Sequence, residues 1–567
     1  MNRRQLLGAA GLAGLGGIAF SLPALAQETR IPGPRIFDPR SFGASGDGKA
    51  LDSAAINQAI DACHGGGGGT VYVPPGTYLC GTVILKSNVT LYLEAGATLL
   101  GSKNLADYTA QRFNSKDPGS NGMFAHDQRD TNERHLLFAR DAENVTVIGP
   151  GRIDGQGPSF WVPSQRKTPP PENAWQDVAT FDWKPLPRPS PMLEFANCKN
   201  LRIEQVRIEN APGWTLRPIG CENVFIRGVT IKNPVFGINT DGLDITGCKN
   251  VLISDCVIDT GDDAICLKSE SPYGGEVRPT KNIVITNCIL SCCCNGLKLG
   301  TATFGSFENI TFSNSVLFNE AVNLNARMIS GVALEMVDGG SLEGILIQGI
   351  RMHRVRTPLF VRRGLRHARS DGQPGVLRGV MIDNIHASES ILTSSITGLP
   401  GFSVEDVTLA NIRIDSEEAG SAEWVGHAVP ESAKAYPEAR MFGRLPAYGI
   451  YCRHVNRLRL RHLEFGAAAG EARPGLHCED VNDLEITGLR SAAIKGTEPA
   501  IRLVQSRQAC LSACVAPKGI KSFVDIQGAQ TEEVTVMNNV FTGAEKAMTV
   551  ASEVPAKAVA AAGNVGG

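Results

Sequence analysis

The sequence predicts an all-β fold, a parallel β-helix in which short strands stack into a solenoid with a helix capping its N-terminal end. Three observations point there. A unit of the form Asn, apolar, any residue, apolar recurs at Asn200, Asn223, Asn250, Asn282 and Asn309. Its intervals of 23, 27, 32 and 27 residues match one coil of a repeat architecture. Between the units lie short Val- and Ile-rich runs separated by Gly, Asn and Asp, and no helix-length periodic segment interrupts them. A leucine-rich repeat would need a Leu-x-x-Leu-x-Leu frame, which is missing, and a propeller blade would need about 40–50 residues.

The elements follow in order. Residues 1–26 carry Arg3-Arg4, an uncharged apolar run and Ala24-Leu25-Ala26, the pattern of a twin-arginine export signal cleaved before Gln27. That places the mature chain in the periplasm or outside the cell, and no later run is long and apolar enough to span a membrane. In "DSAAINQAIDACHGG", apolar residues recur at Ala55, Ile56, Ala59, Ile60 and Cys63, which predicts one amphipathic helix. Asp52 or Ser53 would cap its start and Gly65 would end it. Covering the first coil with this helix would protect an otherwise open strand edge. The solenoid is expected over 27–490, with an insertion at 158–190, and the repeats fade over 491–567 into last coils and a loose tail. In the solenoid the asparagines would form a hydrogen-bonded ladder at a bend, a structural role.

Charge and cysteine usage exclude several classes. A net charge of −2 with 20% charged residues gives no footprint for nucleic acid. The 15 cysteines are odd in number and sit in apolar strand-like runs, so they read as small buried hydrophobes rather than a disulfide scaffold or metal ligands. Side chains alternate along a strand, so Cys292, Cys293 and Cys294 cannot all face one metal. No cofactor or metal is expected, and the chain is expected to be a monomer.

The stretch that carries chemistry is "NTDGLDITGCKNVLISDCVIDTGDDAICLKS". It places Asp241 one coil before Asp262 and Asp263, 21 residues separating Asp241 from Asp262. The repeat therefore puts the three carboxyls on adjacent rungs, about 5 Å apart. Asn295 follows one coil later, with Lys298 beside it. Carboxyls packed this closely are costly unless one holds a proton while another stays ionised, the division of labour used to cleave glycosidic bonds. Asp244 and Asp259 read instead as turn or strand-end residues.

At these residues the chain resembles glycoside hydrolase family 28, the polygalacturonase and rhamnogalacturonan hydrolase group. The matches are "NTDG" at 239–242 and "GDDAI" at 261–265, supported by "FGASGDG", "GGGTVYVPPGTY", "GRIDGQG" and "APGWTL". The resemblance implies a right-handed β-helix and an inverting hydrolysis of α-linked pectin-type polysaccharide. It implies Asp262 as the general acid, with Asp241 and Asp263 holding and activating water. Asn239, Asn295, Lys298, Glu335 and Trp161 are the expected substrate-binding residues.

Two departures stand out. Pectin-cleaving relatives carry Gly-His-Gly where this chain has Cys294-Asn295-Gly296, and Arg-x-Lys where it has Ala333 and Glu335. A carboxylate substrate needs paired positive charge, which Lys298, Arg362 or Arg363 would have to supply. The substrate expected is thus of the rhamnogalacturonan or galacturonan class, or another acidic glycan. The insertion holds Trp161, Trp175 and Trp183, read either as stacking faces for sugars or as loop anchors. The stretch 435–455 is rich in aromatic and charged residues, and its Glu438 and Arg440 either reach the site or pair with each other. Two alternatives stay open: a lyase that holds Ca²⁺ on the three aspartates and uses Lys298 as base, and a non-catalytic carbohydrate-binding solenoid.

Overall fold

The computed structural model describes residues 35–112, 132–164, 183–271, 276–321, 326–494 and 498–566. The export signal and Trp175 lie outside them. Over the described residues the chain winds into a parallel β-helix, with 39 strands hydrogen-bonded into one continuous sheet. Each coil contributes strands to three faces, and each strand pairs in parallel with its counterpart one coil on. The run Leu193–Ala196, Leu216–Ile219, Leu243–Thr246, Ile265–Ser269 builds one face. Lys199–Glu204, Glu222–Arg227, Lys249–Ser254 and Thr280–Thr286 build the next.

Register explains the spacing of the sequence units. Val224 pairs with Val251, Val251 with Ile283 and Ile283 with Ile310, all pointing into the solenoid and buried. Like stacks on like, and each buried side chain contributes about 1.5–3 kcal/mol. At the bend before these strands, each asparagine side chain donates to the one below. The ladder runs through Asn88, Asn144, Asn200, Asn223, Asn250, Asn282 and Asn309, at 2.8 to 3.1 Å. All seven have φ between +55° and +63°, a left-handed conformation that asparagine tolerates better than other side chains. The asparagine pattern is therefore the record of a corner.

The helix forms over Ser53–Gly65 and buries Ile56, Ala59, Ile60 and Cys63 in the solenoid core. Asp52 does not cap it; its carboxylate accepts from the Ser45 and Gly46 amides at 2.7 and 3.0 Å. Gly65 is the last helical residue, and the Gly66 amide closes the end on the Ala62 carbonyl at 3.0 Å. All 15 cysteines are free thiols, and all but Cys510 are buried. The loose tail expected after the last coils is not what forms: Ala544–Val550 and Val559–Ala562 still pair in register with the coil before. Small and polar residues replaced the Val/Ile signature there while the backbone kept stacking.

Candidate active site

One face of the solenoid differs from the others. In Glu222–Arg227 only the inward residues are buried, as a half-solvated strand requires. In Leu193–Ala196, Leu243–Thr246, Ile265–Ser269 and Ser330–Met336 every residue is buried, outward ones included. The outward residues of this face include Glu194, Arg217, Asp244, Lys268, Lys298 and Glu335, all at most 6% exposed. Buried charge on this scale is kept only where it is paired or used.

The predicted aspartates stand in the turns that enter these strands. The Gly242 amide donates to the Asp263 carbonyl at 2.9 Å, and the Ala264 amide to the Asn295 carbonyl at 2.8 Å. Asp241, Asp263 and Asn295 therefore occupy one rung position on three successive coils. Asp263 Oδ1 accepts from the Asn295 backbone amide at 3.0 Å and from its side-chain amide at 2.6 Å, while Oδ2 lies 3.3 Å from the Lys298 ammonium. Asp262 is the half-buried member, and its Oδ1 accepts from the Asp263 amide at 2.9 Å. A ligand atom of Asp262, one of Asp263 and the Cys294 thiol all lie within 4.8 Å of one another.

Burial, then the Asp262 charge, push the Asp241 carboxyl well above the usual carboxylate range. One Asp241 oxygen is buried with no hydrogen-bond partner among the described residues. Asp241 therefore favours its protonated form beside the Asp262 charge. Burial opposes the charge of Lys298, but Asp263, Tyr436 and Glu335 more than compensate and hold its pKa well above normal. Glu335 is raised to about 8, by burial first and by Asp263, against the opposing pull of Lys298. Its carboxyl lies over Gly300: a Cβ there would sit 2.8 Å from Glu335 Oε2.

Other expectations meet different outcomes. The Asn239 side-chain oxygen accepts from Arg188 at 3.2 Å, which ties the motif to the insertion. Trp161 is 4% exposed, donates to the Pro212 carbonyl at 2.9 Å and packs with Phe160 and Ile238; it anchors a loop instead of offering a face to sugar. Trp183 stacks on Phe236 at 5.5 Å. Arg362 and Arg363 are not available as counter-charges for a substrate. Arg362 donates to the Gly398 and Glu431 carbonyls at 3.0 and 2.7 Å, and Arg363 donates to the Gly375 and Ser403 carbonyls, both at 2.6 Å. Glu438 and Arg440 pair with each other, and the Glu438 charge also raises Glu335. Asp244 is no turn residue: it lies mid-strand, buried, in an ion pair with Lys268.

Sequence reasoning missed Asp244, Lys268 and Tyr436. The signal for the first two was present. "LEFA", "LRPI", "LDIT", "ICLK" and "VALE" each set a charged residue at an outward strand position on one face. Tyr436 had none: it arrives from a segment 138 residues beyond Lys298, and its hydroxyl lies 3.3 Å from the Lys298 ammonium.

The family model described as "Glycosyl hydrolases family 28" matches residues 70–433. A probable polygalacturonase of Vitis vinifera is 28% identical over 386 residues, covering 66% of this chain and 73% of the relative. An endo-polygalacturonase of Pectobacterium carotovorum is 28% identical over 371 residues, covering 64% and 82%. Among solved structures, a hyperthermoactive exopolygalacturonase from Thermotoga maritima superposes with a TM-score of 0.53 at 24% identity, covering 67% of this chain and 87% of that one.

Proposed function

The chain belongs to glycosyl hydrolase family 28 and is a polygalacturonase-like glycoside hydrolase, and from that membership we propose that it hydrolyses α-linked pectin-type polysaccharide, of the galacturonan or rhamnogalacturonan class, by an inverting two-carboxylate mechanism. The observation that carries the reading is the convergence of Asp241, Asp262 and Asp263 on one patch of a single face of the solenoid.

The contacts support the following roles. The proton held by Asp241 passes to Asp262, the more exposed of the two, which delivers it to the leaving oxygen. Asp263, fixed by Asn295 and Lys298, holds the attacking water together with Asp241, and the proton that the water loses as it attacks passes to the vacated Asp241 carboxylate. Preorganised neighbours of this kind contribute by not needing to rearrange as charge develops. Asn239 and Lys298 border the reacting carboxyls and are proposed to contact the substrate. The twin-arginine segment supports export to the periplasm or beyond.

A lyase reading is disfavoured by Lys298, whose ammonium is stabilised by Asp263 and Glu335 and is poorly placed to accept a proton. The test is incubation with polygalacturonate and rhamnogalacturonan, with and without EDTA. New reducing ends, no ultraviolet absorbance from unsaturated sugar and no effect of EDTA are expected. Absorbance that EDTA abolishes would establish the lyase instead, and silence on a broad glycan panel would leave a binding solenoid.

A further inference from the structure

Where along a polymer the bond is cut depends on what closes the groove, and in this chain one end is closed. The groove floor is a single ladder of outward residues: Lys298 pairs with Ala333, Ala333 with Phe360, Phe360 with Ser395 and Ser395 with Tyr451. A polymer running past Lys298 toward the later coils would lie on Ala333, Phe360 and Tyr451. Those positions are taken. Ala439, Phe442 and Leu445, from the segment between Val404–Ser416 and Ile450–Gly466, pack onto them in one apolar cluster. Phe360 and Tyr451 are wholly buried beneath it.

The covering segment is pinned along its length. Arg362 holds the Glu431 carbonyl at 2.7 Å, and its guanidinium lies 5.3 Å from the centre of the Phe442 ring. Arg453 holds the Val429 carbonyl at 2.7 Å, and the Leu365 amide donates to the Ala433 carbonyl at 2.7 Å. Arg444 makes two bonds to Glu418, at 2.9 and 2.8 Å, and Arg473 reaches the Leu445 carbonyl at 3.2 Å. Arg362 and Arg453, which rise from floor strands, are thus staples of the cover, joined by Arg444 within it and Arg473 beside it. Tyr436 forms its leading edge: 52% exposed, its hydroxyl toward Lys298, its ring centre 5.8 Å from the Arg366 guanidinium. Lys298 in turn reaches Asp263, so a single ammonium separates the reacting carboxyls from the edge of the cover.

We propose that residues 425–447 are a fixed wall that ends the substrate groove just beyond Lys298, that the enzyme therefore cuts from a chain end, and that Tyr436 is the platform against which the terminal sugar rests. The inference rests on the hydrolase reading and extends it. A polymer cannot pass a packed apolar plug, so only a terminus can place its outermost bond beside Asp262. The staples are hydrogen bonds to backbone carbonyls and a two-bonded ion pair, which differ from the loose polar contacts of a mobile lid.

The test is a time course on long polygalacturonate and rhamnogalacturonan with the full chain, following reducing ends, viscosity and product size together. One product size from the earliest time, with viscosity falling slowly against reducing ends, is expected. Mixed oligomers with an early collapse of viscosity would overturn the wall while leaving the hydrolase reading intact. No reducing ends from either polymer would overturn both. Oligomers modified at one terminus give a second reading: modification of one end stops cleavage and modification of the other does not. Equal cleavage of both contradicts the proposal. Tyr436→Ala is expected to raise KM about tenfold, the scale of one aromatic contact, with kcat and product size kept. An unchanged KM would remove Tyr436 from the subsite.

Discussion

Asp263 and Asn295, one coil apart, meet at a single oxygen: Asp263 Oδ1 accepts both the backbone and the side-chain N–H of Asn295, at 3.0 and 2.6 Å. Asn295 is thus an uncharged double donor that fixes a carboxylate from the neighbouring coil. Asn295→Ala is expected to lower kcat about tenfold while leaving KM near wild type, because one of two donors to a positioned carboxylate is lost. Asn295→Asp, which sets a further carboxylate against Asp263, is expected to cost more. Equal, small effects of the two would show that the contact does not serve catalysis.

Asp262→Asn removes the proposed proton donor without changing shape. A loss of about 10³-fold in kcat is expected, with unchanged circular dichroism and melting temperature. Wild-type turnover in this variant would take the acid role away from Asp262.

The protonation of Asp241 sets the direction of the pH dependence. Burial, then the Asp262 charge, hold Asp241 above its ordinary pKa, so it keeps its proton into a pH range where isolated aspartates have lost theirs. Activity is therefore expected to fall as pH rises through that range, and in Asp241→Asn this alkaline limb should move. An alkaline limb left in place would assign it to another group.

Glu335 links pH to stability. Its pKa is about 8 in the fold against an ordinary 4.5, so the folded protein binds a proton that the unfolded chain has released. The corresponding stability is complete below about pH 4.5 and is lost as pH rises through about 8. Glu335→Gln, which keeps the shape and never ionises, is expected to melt about 1–2 °C above wild type at alkaline pH and level with it under acid conditions. A constant difference across pH would show that Glu335 is not the titrating group.

The asparagine ladder has its own test. Asn223→Ala forces alanine into φ +57° and deletes bonds of 3.1 and 3.0 Å to the neighbouring coils. The bonds are exposed, so a loss of only about 1–2 kcal/mol, much of it backbone strain, is expected by denaturant titration. Asn223→Gly, free of the backbone strain, should lose less, and kcat should be unaffected in both.

Legibility varied with the range of the interaction. Gly65 ends the helix as its residue type predicts, but Asp52 does not cap the start, because it has nearer amides to satisfy at Ser45 and Gly46 than those of the helix. Trp161 was read from its residue type, but whether an indole faces a sugar or a loop core depends on its neighbours, here Phe160 and Ile238. By residue type Arg362 and Arg363 offer counter-charge to an acidic sugar, yet backbone carbonyls of Gly398, Glu431, Gly375 and Ser403 claim them.

What the sequence determined by itself is periodic: coil length, the inward Val and Ile, the asparagine corner, and the three aspartates that a parallel stack brings onto adjacent rungs. Parallel stacking turns a spacing along the chain into a distance across it, so a repeat is enough to place a site. Tertiary structure alone decided how that site is enclosed. Tyr436 and the apolar side chains of the wall obey no repeat, and they meet Lys298, Phe360 and Tyr451 because an irregular segment folds back over a face whose outward residues fit it.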